Sequence, residues 1–254
     1  MIVNINSKFI GSDISSKLDQ ANHIWVLNSN ETNFFILYQF YKFLSEEEKN
    51  RLNKLVFLRD YIRFTISHIG LRLLLSFYLK KPLYRIKYQY SYYKKPYLAS
   101  ENNIFFNISH SEKQILIAIS KYEVGVDIEY KRYLDFGGIM NLCFSSLEQE
   151  YISSKQGLKE KLDNFFKLWS RKEAISKAIG IGIMNKAVKE ICTIKNIYTK
   201  NEKNIWQIVN LPYKIEYSRA IAYKNKQCLE NQIYDWKKYE YTIINSALNI
   251  MDNS

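Results

Sequence analysis

Apolar residues follow two spacings along this chain, one typical of strands and one typical of helices. Alternating or uninterrupted apolar runs predict strands. In the first half of the chain they fall at residues 24–27, 86–90, 104–109, 114–119 and 124–129. In the second half they fall at residues 188–194, 205–209, 214–216 and 219–223. Strands 104–109 and 114–119 are close enough in sequence to form a hairpin through residues 110–113.

Two helical regions begin with the same signal. Ser45 with Glu48, and Ser145 with Glu148, have the spacing of a capping box, which satisfies free backbone N–H groups at a helix start. The second region is predicted to hold a short helix and then a long one over residues 162–179, which a following glycine ends.

The first helical region is predicted to reach about residue 79, with a break near Asp60, and Lys81-Pro82 ends it. Helices and strands therefore occur in both halves of the chain. This order predicts an α+β fold with two similar α/β lobes, residues 1–122 and 123–254. No repeat within the sequence itself is strong enough to show a duplication.

Composition agrees with a globular protein that buries a large core. Of 254 residues, 47% are hydrophobic and 24% are charged. The three cysteines lie far apart, which gives neither a zinc site nor a disulfide framework. The N-terminus lacks the pattern of a signal peptide, and no apolar run has the length of a membrane span. These features predict a cytoplasmic protein.

The net charge of +12 favours anionic partners. Nucleic acid, acidic proteins, phosphorylated small molecules and anionic membranes all meet that description, and the charge alone does not choose among them. Lysines are spread along the chain, which argues against a basic nucleic-acid-binding arm.

Three acidic residues suggest a metal site. Asp127 and Glu129 are two residues apart in a predicted strand, so both face the same side of it. Glu173 lies on the predicted long helix, with Trp169 one turn before it and Lys177 one turn after it. Converging carboxylates suit a hard divalent cation that holds a phosphate. A solvated strand edge and an ordinary helix ion pair remain the alternatives.

Several basic residues are candidates for binding a phosphate. His110 follows a predicted strand in a polar turn, where an exposed loop histidine is the alternative interpretation. Arg51, Arg63, Arg72 and Lys95 are further candidates. Arg63 and Arg72 are nine residues apart and lie on opposite faces of a regular helix, so they cannot both bind one ligand. The chain has no glycine-rich phosphate loop, no G-x-S-x-G elbow and no H-E-x-x-H motif.

Three segments, in this order, resemble the signature blocks of the 4′-phosphopantetheinyl transferases. They are residues 106–111 (Phe-Asn-Ile-Ser-His-Ser), 125–129 (Gly-Val-Asp-Ile-Glu) and 166–177 (Phe-Lys-Leu-Trp-Ser-Arg-Lys-Glu-Ala-Ile-Ser-Lys). The resemblance covers about residues 45–180 and is to the long Sfp type, in which two similar lobes occupy one polypeptide. It implies a pseudo-dimeric fold, a metal site at the lobe interface and a monomer.

The resemblance implies transfer of the 4′-phosphopantetheine group of coenzyme A to a serine of an apo acyl or peptidyl carrier protein, with release of 3′,5′-ADP. The implied Mg²⁺ ligands are Asp127, Glu129 and Glu173. The implied catalytic residues are Glu173, Lys177 and His110. The implied coenzyme A ligands are Arg63, Lys95, Ser109, His110 and Lys177, with Arg51 as a weaker candidate.

Two positions depart from the family pattern. Lys94 stands where the family often has glycine before a Lys-Pro pair, and His68 stands where arginine is common. A carrier-binding relative without catalysis is one rival interpretation, and the intact acidic triad argues against it. A nucleic-acid-binding module is the other, based on the charge and on the tyrosines within residues 88–95.

Overall fold

The computed structural model describes residues 14–99, 103–201, 204–212 and 214–254. The N-terminal residues used for the signal-peptide prediction lie outside this description. The α-helices used below are α1 (Phe34–Tyr38), α2 (Glu46–Leu52), α3 (Leu58–Leu79), α4 (Gly137–Cys143), α5 (Ser146–Ser153), α6 (Leu158–Ile179), α7 (Lys186–Lys189) and α8 (Trp236–Asp252). The strands are β1 (Ala21–Asn28), β2 (Tyr88–Tyr90), β3 (Pro96–Leu98), β4 (Phe105–Ser111), β5 (Gln114–Ser120), β6 (Val124–Tyr130), β7 (Ile197–Asn201), β8 (Asn204–Asn210), β9 (Tyr217–Lys224) and β10 (Glu230–Asp235).

Two four-stranded sheets form the centres of two lobes. The first has the strand order β10-β1-β5-β4 and the second the order β6-β9-β8-β7, while β2 and β3 form a separate hairpin. Only the β1–β10 pair is parallel among these pairings. The predicted α+β fold with two sheet-containing lobes is confirmed.

The two lobes repeat one helical arrangement. Helices α3 and α6 each have 22 residues and begin one hundred positions apart, at Leu58 and Leu158. Both predicted capping boxes are present, at the starts of α2 and α5. A cation from the long helix pairs with the capping glutamate in each lobe: Arg72 Nη2 lies 2.5 Å from Glu48 and Lys172 Nζ lies 2.6 Å from Glu148.

The end of the chain returns to the first lobe. Strand β10 pairs with β1, and α8 packs on α3 and β1. The sequence expectation of lobes at residues 1–122 and 123–254 therefore differs from the structure in its last part. Residues 230–252 fold with the first lobe because β1 has a free edge that β10 completes.

Some predicted elements differ from the structure. Residues 188–194 are not a strand, because Lys172 Nζ donates to the carbonyl oxygens of Val188, Lys189 and Ile191 and so uses groups that a sheet would need. Residues 214–216 form a turn with an isolated bridge. The helix break falls at residues 53–57, earlier than predicted.

The lobes meet where β4 lies along the edge of β6. Side chains of β4 accept hydrogen bonds from backbone N–H groups of β6: Asn107 from Val126 at 3.0 Å and Ser111 from Tyr130 at 2.9 Å. Ser109 accepts from the N–H of Ile128 between them, at 3.3 Å. The alternation of these three residues along β4 therefore covers an edge that would otherwise need a neighbouring strand.

Helix α6 crosses β6 at very close range. An ideal Cβ built on Gly125 would lie 2.1 Å from the carbonyl oxygen of Ala174 and 2.3 Å from the nitrogen of Ala178. Only glycine allows this approach, which sets the distance between the carboxylates on β6 and those on α6.

One helix of the described residues, α3, is long and apolar enough to cross a membrane by length and composition alone. Most of it is buried inside the first lobe. Arg72, in its middle, is buried against Glu48 and Tyr88. These contacts are typical of the core helix of a folded lobe.

Candidate active site

Asp127 lies at the centre of the interface between the lobes, on β6, and is almost fully buried. Its Oδ1 accepts hydrogen bonds from Lys177 Nζ at 2.6 Å and from Ser109 Oγ at 2.9 Å. Lys177 also donates to Ser109 Oγ at 3.0 Å. One residue from each of β4, β6 and α6 thus forms a single hydrogen-bonded cluster.

The second oxygen of Asp127 has no hydrogen-bond partner. Oδ2 is buried, and leaving a buried carboxylate oxygen without a partner is costly. Such an atom is an expected position for a ligand that the protein itself does not supply.

Glu129 is held by an indole. Trp169 Nε1 donates to Glu129 Oε1 at 2.9 Å, and the Trp169 ring stacks on Phe165 with centroids 6.0 Å apart. Burial and the charge of Asp127 raise the pKa of Glu129, while the Trp169 bond and Lys177 oppose the rise. The sequence placed Trp169 beside Glu173, and the bond to Glu129 is a contact that only the packing of α6 on β6 reveals.

Glu173 has an unusually high proton affinity. Burial raises its pKa to about 7, Lys177 opposes the shift, and the carboxylates of Asp127 and Glu129 add to it. Burial acts to lower the pKa of Lys177, but Asp127 and then the two glutamates outweigh it, so the net pKa is raised. The site therefore keeps a charged lysine among three acids, one of which titrates near neutrality.

These residues fit a divalent cation in their chemistry. As the side chains are placed, no three His, Cys, Asp or Glu residues within the described ranges are grouped closely enough to hold a metal ion. Asp127 Oδ2 has no partner, and burial, with the neighbouring carboxylates adding to it, raises the pKa values of Glu129 and Glu173. A cation bound by oxygen ligands would relieve both.

The predicted phosphate ligands lie in different surroundings. His110 is exposed on β4, rather than in a turn as predicted, because the strand continues to Ser111. Although part of its ring reaches solvent, desolvation by the surrounding protein atoms, followed by the charges of Arg63 and Lys177, lowers the pKa of His110. Arg63 donates to Asp60 at 2.7 Å and to the carbonyl oxygen of Glu112 at 3.0 Å. His110, Arg63 and Lys177 are close enough to influence one another.

Arg51 and His68 both pack against the aromatic ring of Phe64. The guanidinium of Arg51 is 5.7 Å from the centroid of Phe64, and the ring of His68 stacks on Phe64 at 3.9 Å. His68 Nδ1 also lies 2.9 Å from Glu48, beside Arg72. His68 is therefore part of the buried charge network of the first lobe.

Lys95 contacts backbone carbonyl groups. Its Nζ donates to Ala178 O at 2.7 Å and to Val124 O at 3.2 Å. Burial lowers the pKa of Lys95 to about 8, and Glu123 partly opposes this. The preceding Lys94 has φ of 64°, the left-handed conformation that the family's glycine would adopt without strain. Lys94 therefore keeps this turn, although a residue with a side chain adopts the left-handed conformation at a cost in free energy.

A cavity of about 300 Å³ opens beside the carboxylates. Ser111 and Glu112 of the first lobe line one side, and Leu134, Phe165 and Trp169 of the second lobe line the other. Glu129 also lines the cavity. The cavity gives an extended, partly apolar group access to the acidic cluster.

Comparisons with known proteins point to one family across most of the described chain. A family model described as the 4′-phosphopantetheinyl transferase superfamily matches residues 123–228, and another, described as the N-terminal part of 4′-phosphopantetheinyl transferase, matches residues 32–122. The two matches adjoin between residues 122 and 123.

Curated relatives carry the same description. The chain is 32% identical over 140 residues to 4′-phosphopantetheinyl transferase gsp of Aneurinibacillus migulanus, which covers 55% of this chain and 57% of the relative. It is 34% identical over 145 residues to 4′-phosphopantetheinyl transferase HetI of a Nostoc species, covering 55% and 61%. It is 27% identical over 145 residues to 4′-phosphopantetheinyl transferase Sfp of Bacillus subtilis, covering 57% and 64%. The matched segments thus span only part of each relative's length.

Proposed function

Because the chain belongs to the 4′-phosphopantetheinyl transferase superfamily, we propose that it transfers the 4′-phosphopantetheine group of coenzyme A to a serine hydroxyl of an apo carrier protein. The observation that carries the proposal is the buried Asp127, whose free oxygen lies in a cluster with Glu129, Glu173 and Lys177. The long two-lobed type is proposed on the same ground, because both sides of this cluster come from one chain.

At the phosphorus atom, the reaction forms one bond and breaks one. The serine oxygen bonds to the β-phosphorus of coenzyme A, the bond from that phosphorus to the bridging oxygen breaks, and 3′,5′-ADP leaves with that oxygen. The serine proton must go to a base. Glu173, whose carboxylate lies beside Lys177 and the other two acids, is the proposed acceptor, directly or through a water molecule.

Asp127, Glu129 and Glu173 are the proposed ligands of Mg²⁺. When bound, the ion supplies charge neutralisation on the pyrophosphate oxygens. Lys177 now contacts Asp127 and would add a second positive charge beside the pyrophosphate. Ser109 aligns Asp127 and Lys177 by bonding to both.

Arg63 and His110 are the proposed contacts of the nucleotide phosphates, with Arg51 as a weaker candidate. Arg63 lies in a cleft of about 550 Å³ between the lobes. The cavity beside Trp169 and Glu129 suits the pantetheine arm, which has both apolar and amide groups. A net charge of +12 supports binding of a polyanionic co-substrate and of an acidic carrier.

A monomer in the cytoplasm is proposed as the working form. The support for a monomer is that β4, β6 and α6 of one chain already assemble the acidic cluster. The support for a reducing compartment is that Cys143, Cys192 and Cys228 are all free thiols.

Mass spectrometry of carrier proteins tests the function. The protein is incubated with coenzyme A, Mg²⁺ and a panel of apo acyl and peptidyl carriers, and the expected result is a phosphopantetheine mass gain on at least one. Asp127→Ala should abolish the gain, while Asp252→Ala, at an exposed helix end, should leave it unchanged. Absence of any gain with folded protein would refute the transferase proposal.

A further inference from the structure

Lys95 spans the two lobes. Its backbone belongs to the hairpin of β2 and β3 in the first lobe, where its amide donates to Ser91 Oγ at 3.1 Å and its carbonyl accepts from the Ser91 amide at 2.9 Å. Its ammonium lies in the second lobe, on Ala178 O and Val124 O. One side chain therefore ties a firmly bonded turn to the start of β6 and the end of α6.

The path of this side chain is shaped by glycine. Gly180 ends α6 with φ of 81°, and a Cβ there would lie 3.3 Å from Cδ of Lys95. The stem of Lys95 passes over the position where any other residue would have a side chain. The ammonium thus reaches the last turn of α6, where backbone carbonyl groups lack helical partners and the helix dipole favours a cation.

One carbonyl acceptor lies next to a residue of the acidic cluster, and the other lies next to the point where β6 and α6 touch. Ala178 follows Lys177 directly, and Val124 precedes Gly125, where β6 and α6 touch. A contact that holds Val124 and Ala178 to one ammonium fixes the crossing of β6 and α6. That crossing sets how Asp127 faces Lys177 and Glu173.

We propose that Lys95 is a positioning residue that clamps the β6–α6 crossing, and that it does not act as a phosphate ligand of coenzyme A. The proposal rests on the transferase function proposed above and differs from the role that the family resemblance implies for this lysine. Two of the three N–H groups of Lys95 already have backbone acceptors. One N–H group is left for a phosphate, and any closer contact would displace bonds that stabilise the site.

The second lobe offers a matched control. Lys195 lies one hundred positions after Lys95, as α6 lies after α3, and it is exposed at the rim of a separate groove beside Cys192 and Ile197. Lys195 has the same side chain as Lys95 but is exposed and does not bridge β6 and α6. Lys195→Met should therefore leave transfer, coenzyme A affinity and amide exchange unchanged.

The test compares kcat with coenzyme A affinity in Lys95→Met. A clamp predicts that kcat at saturating coenzyme A falls about tenfold or more, because small misplacements of catalytic groups are costly, while the dissociation constant for coenzyme A stays within about twofold. Hydrogen–deuterium exchange should speed up at the last turn of α6 and the start of β6. Affinity is measured by calorimetry with coenzyme A alone, without a carrier.

If Lys95 instead binds a phosphate of coenzyme A, its loss should change the affinity for coenzyme A and leave kcat unchanged. A rise of about tenfold or more in the coenzyme A dissociation constant, with kcat and exchange unchanged, would overturn the proposal. So would a Lys95→Met protein unchanged in all three measurements. If Lys95→Met does not fold, Lys95→Arg replaces it: the broader guanidinium should disturb the clamp and lower kcat with affinity retained, whereas a phosphate ligand would tolerate the change in both.

Failure of the transferase function is distinguishable from failure of the clamp. A wild-type protein that modifies no carrier refutes the function, yet the exchange experiment still judges the clamp. If hydrogen–deuterium exchange at α6 and β6 is unchanged in both Lys95→Met and Lys95→Arg, the proposed clamp is overturned.

Discussion

Glu173 shows how one residue depends on the groups around it. Its side chain is only partly exposed, and it lies near Lys177, Asp127 and Glu129. Burial and two like charges outweigh one cation, so its proton is held to about pH 7. The sequence showed the residue and its lysine partner one turn away, but the net direction of the shift depends on burial, which the sequence does not give.

The pH dependence of stability follows from the sign of this shift. Because the folded pKa of Glu173 lies above its unfolded value, the folded state binds more protons, and stability falls as pH rises through about 7. In metal-free buffer, Glu173→Gln should stabilise the protein at pH 8 by about 2 kcal/mol and by little at pH 5. Urea unfolding at both pH values measures this.

Glu160→Gln is the control, since Glu160 is an exposed acid on the same helix. Its effect on unfolding should be the same at pH 5 and pH 8. An equal effect of Glu173→Gln at the two pH values would contradict the proposed balance of charges.

Trp169 is expected to orient Glu129 toward the cation. Trp169→Phe keeps a ring to stack on Phe165 and removes the N–H that donates to Glu129. Loss of such an outer hydrogen bond typically lowers metal affinity about 10- to 100-fold. Titration with Mn²⁺, followed by electron paramagnetic resonance without coenzyme A, measures the change.

Trp206→Phe serves for comparison, because Trp206 is buried in the second lobe next to Lys224. It should leave Mn²⁺ affinity as in the wild type. Equal affinities for Trp169→Phe and the wild type would show that Glu129 needs no help from the indole.

At the scale of elements, the contact between β6 and α6 is the tightest constraint on the site. Gly125→Ala would place Cβ 2.1 Å from Ala174 O, so the strand and helix must separate. We expect a loss of about 3 kcal/mol or more, as for severe overpacking, and loss of transfer. Chemical unfolding followed by circular dichroism measures the stability.

Gly138→Ala is a matched control, because a Cβ there meets nothing within 4 Å and the residue lies in helix α4. Its stability should be unchanged or slightly increased, since alanine favours helix. If the Gly125→Ala protein is as stable as the Gly138→Ala protein, α6 can shift away from β6 without loss of stability, and the prediction is wrong.

Local signals predicted the elements that local chemistry determines. The capping boxes at Ser45 and Ser145 and the stop at Gly180 rest on residues a few positions apart, and all three were confirmed. Residues 188–194 were wrongly predicted as a strand, because Lys172, which belongs to the preceding long helix, donates hydrogen bonds to their carbonyl groups. The ammonium contacts of Lys95 likewise depend on how two lobes pack, and no local pattern shows them.

At the scale of the whole molecule, the described residues form two similar lobes with one acidic cluster between them. In α6, Glu173 and Lys177 face the lobe interface, while the positions one hundred residues earlier, in α3, are the buried Leu73 and Phe77. The long helix of the first lobe therefore has core residues at these positions, whereas the equivalent helix of the second lobe has charged residues there. The proposed triad was suggested by the sequence because its residues lie in ordered motifs. The edge contacts of Asn107 and Ser111 were missed, although their alternation with Ser109 was a readable signal.

The first lobe should depend on the last segment of the chain. Deletion of residues 229–254 removes β10 and α8, which uncovers the edge of β1 and buried Trp25. We expect association or aggregation, seen by size-exclusion chromatography, because an open strand edge pairs with other chains. Deletion of residues 253–254 alone is the control and should leave a monomer. A monomeric, folded product of the longer deletion would contradict this dependence.

The pairing of β1 with β10 also sets the order of events during synthesis. Asn22 and Asn231, which share a hydrogen bond across these strands, are 209 positions apart. A ribosome releases β1 long before β10, so the first lobe waits with an incomplete sheet while the second lobe is translated. Closing so long a loop late is slow. A nascent chain stalled before β10 should therefore recruit chaperones that protect exposed strands, and release of the last segment should end that protection.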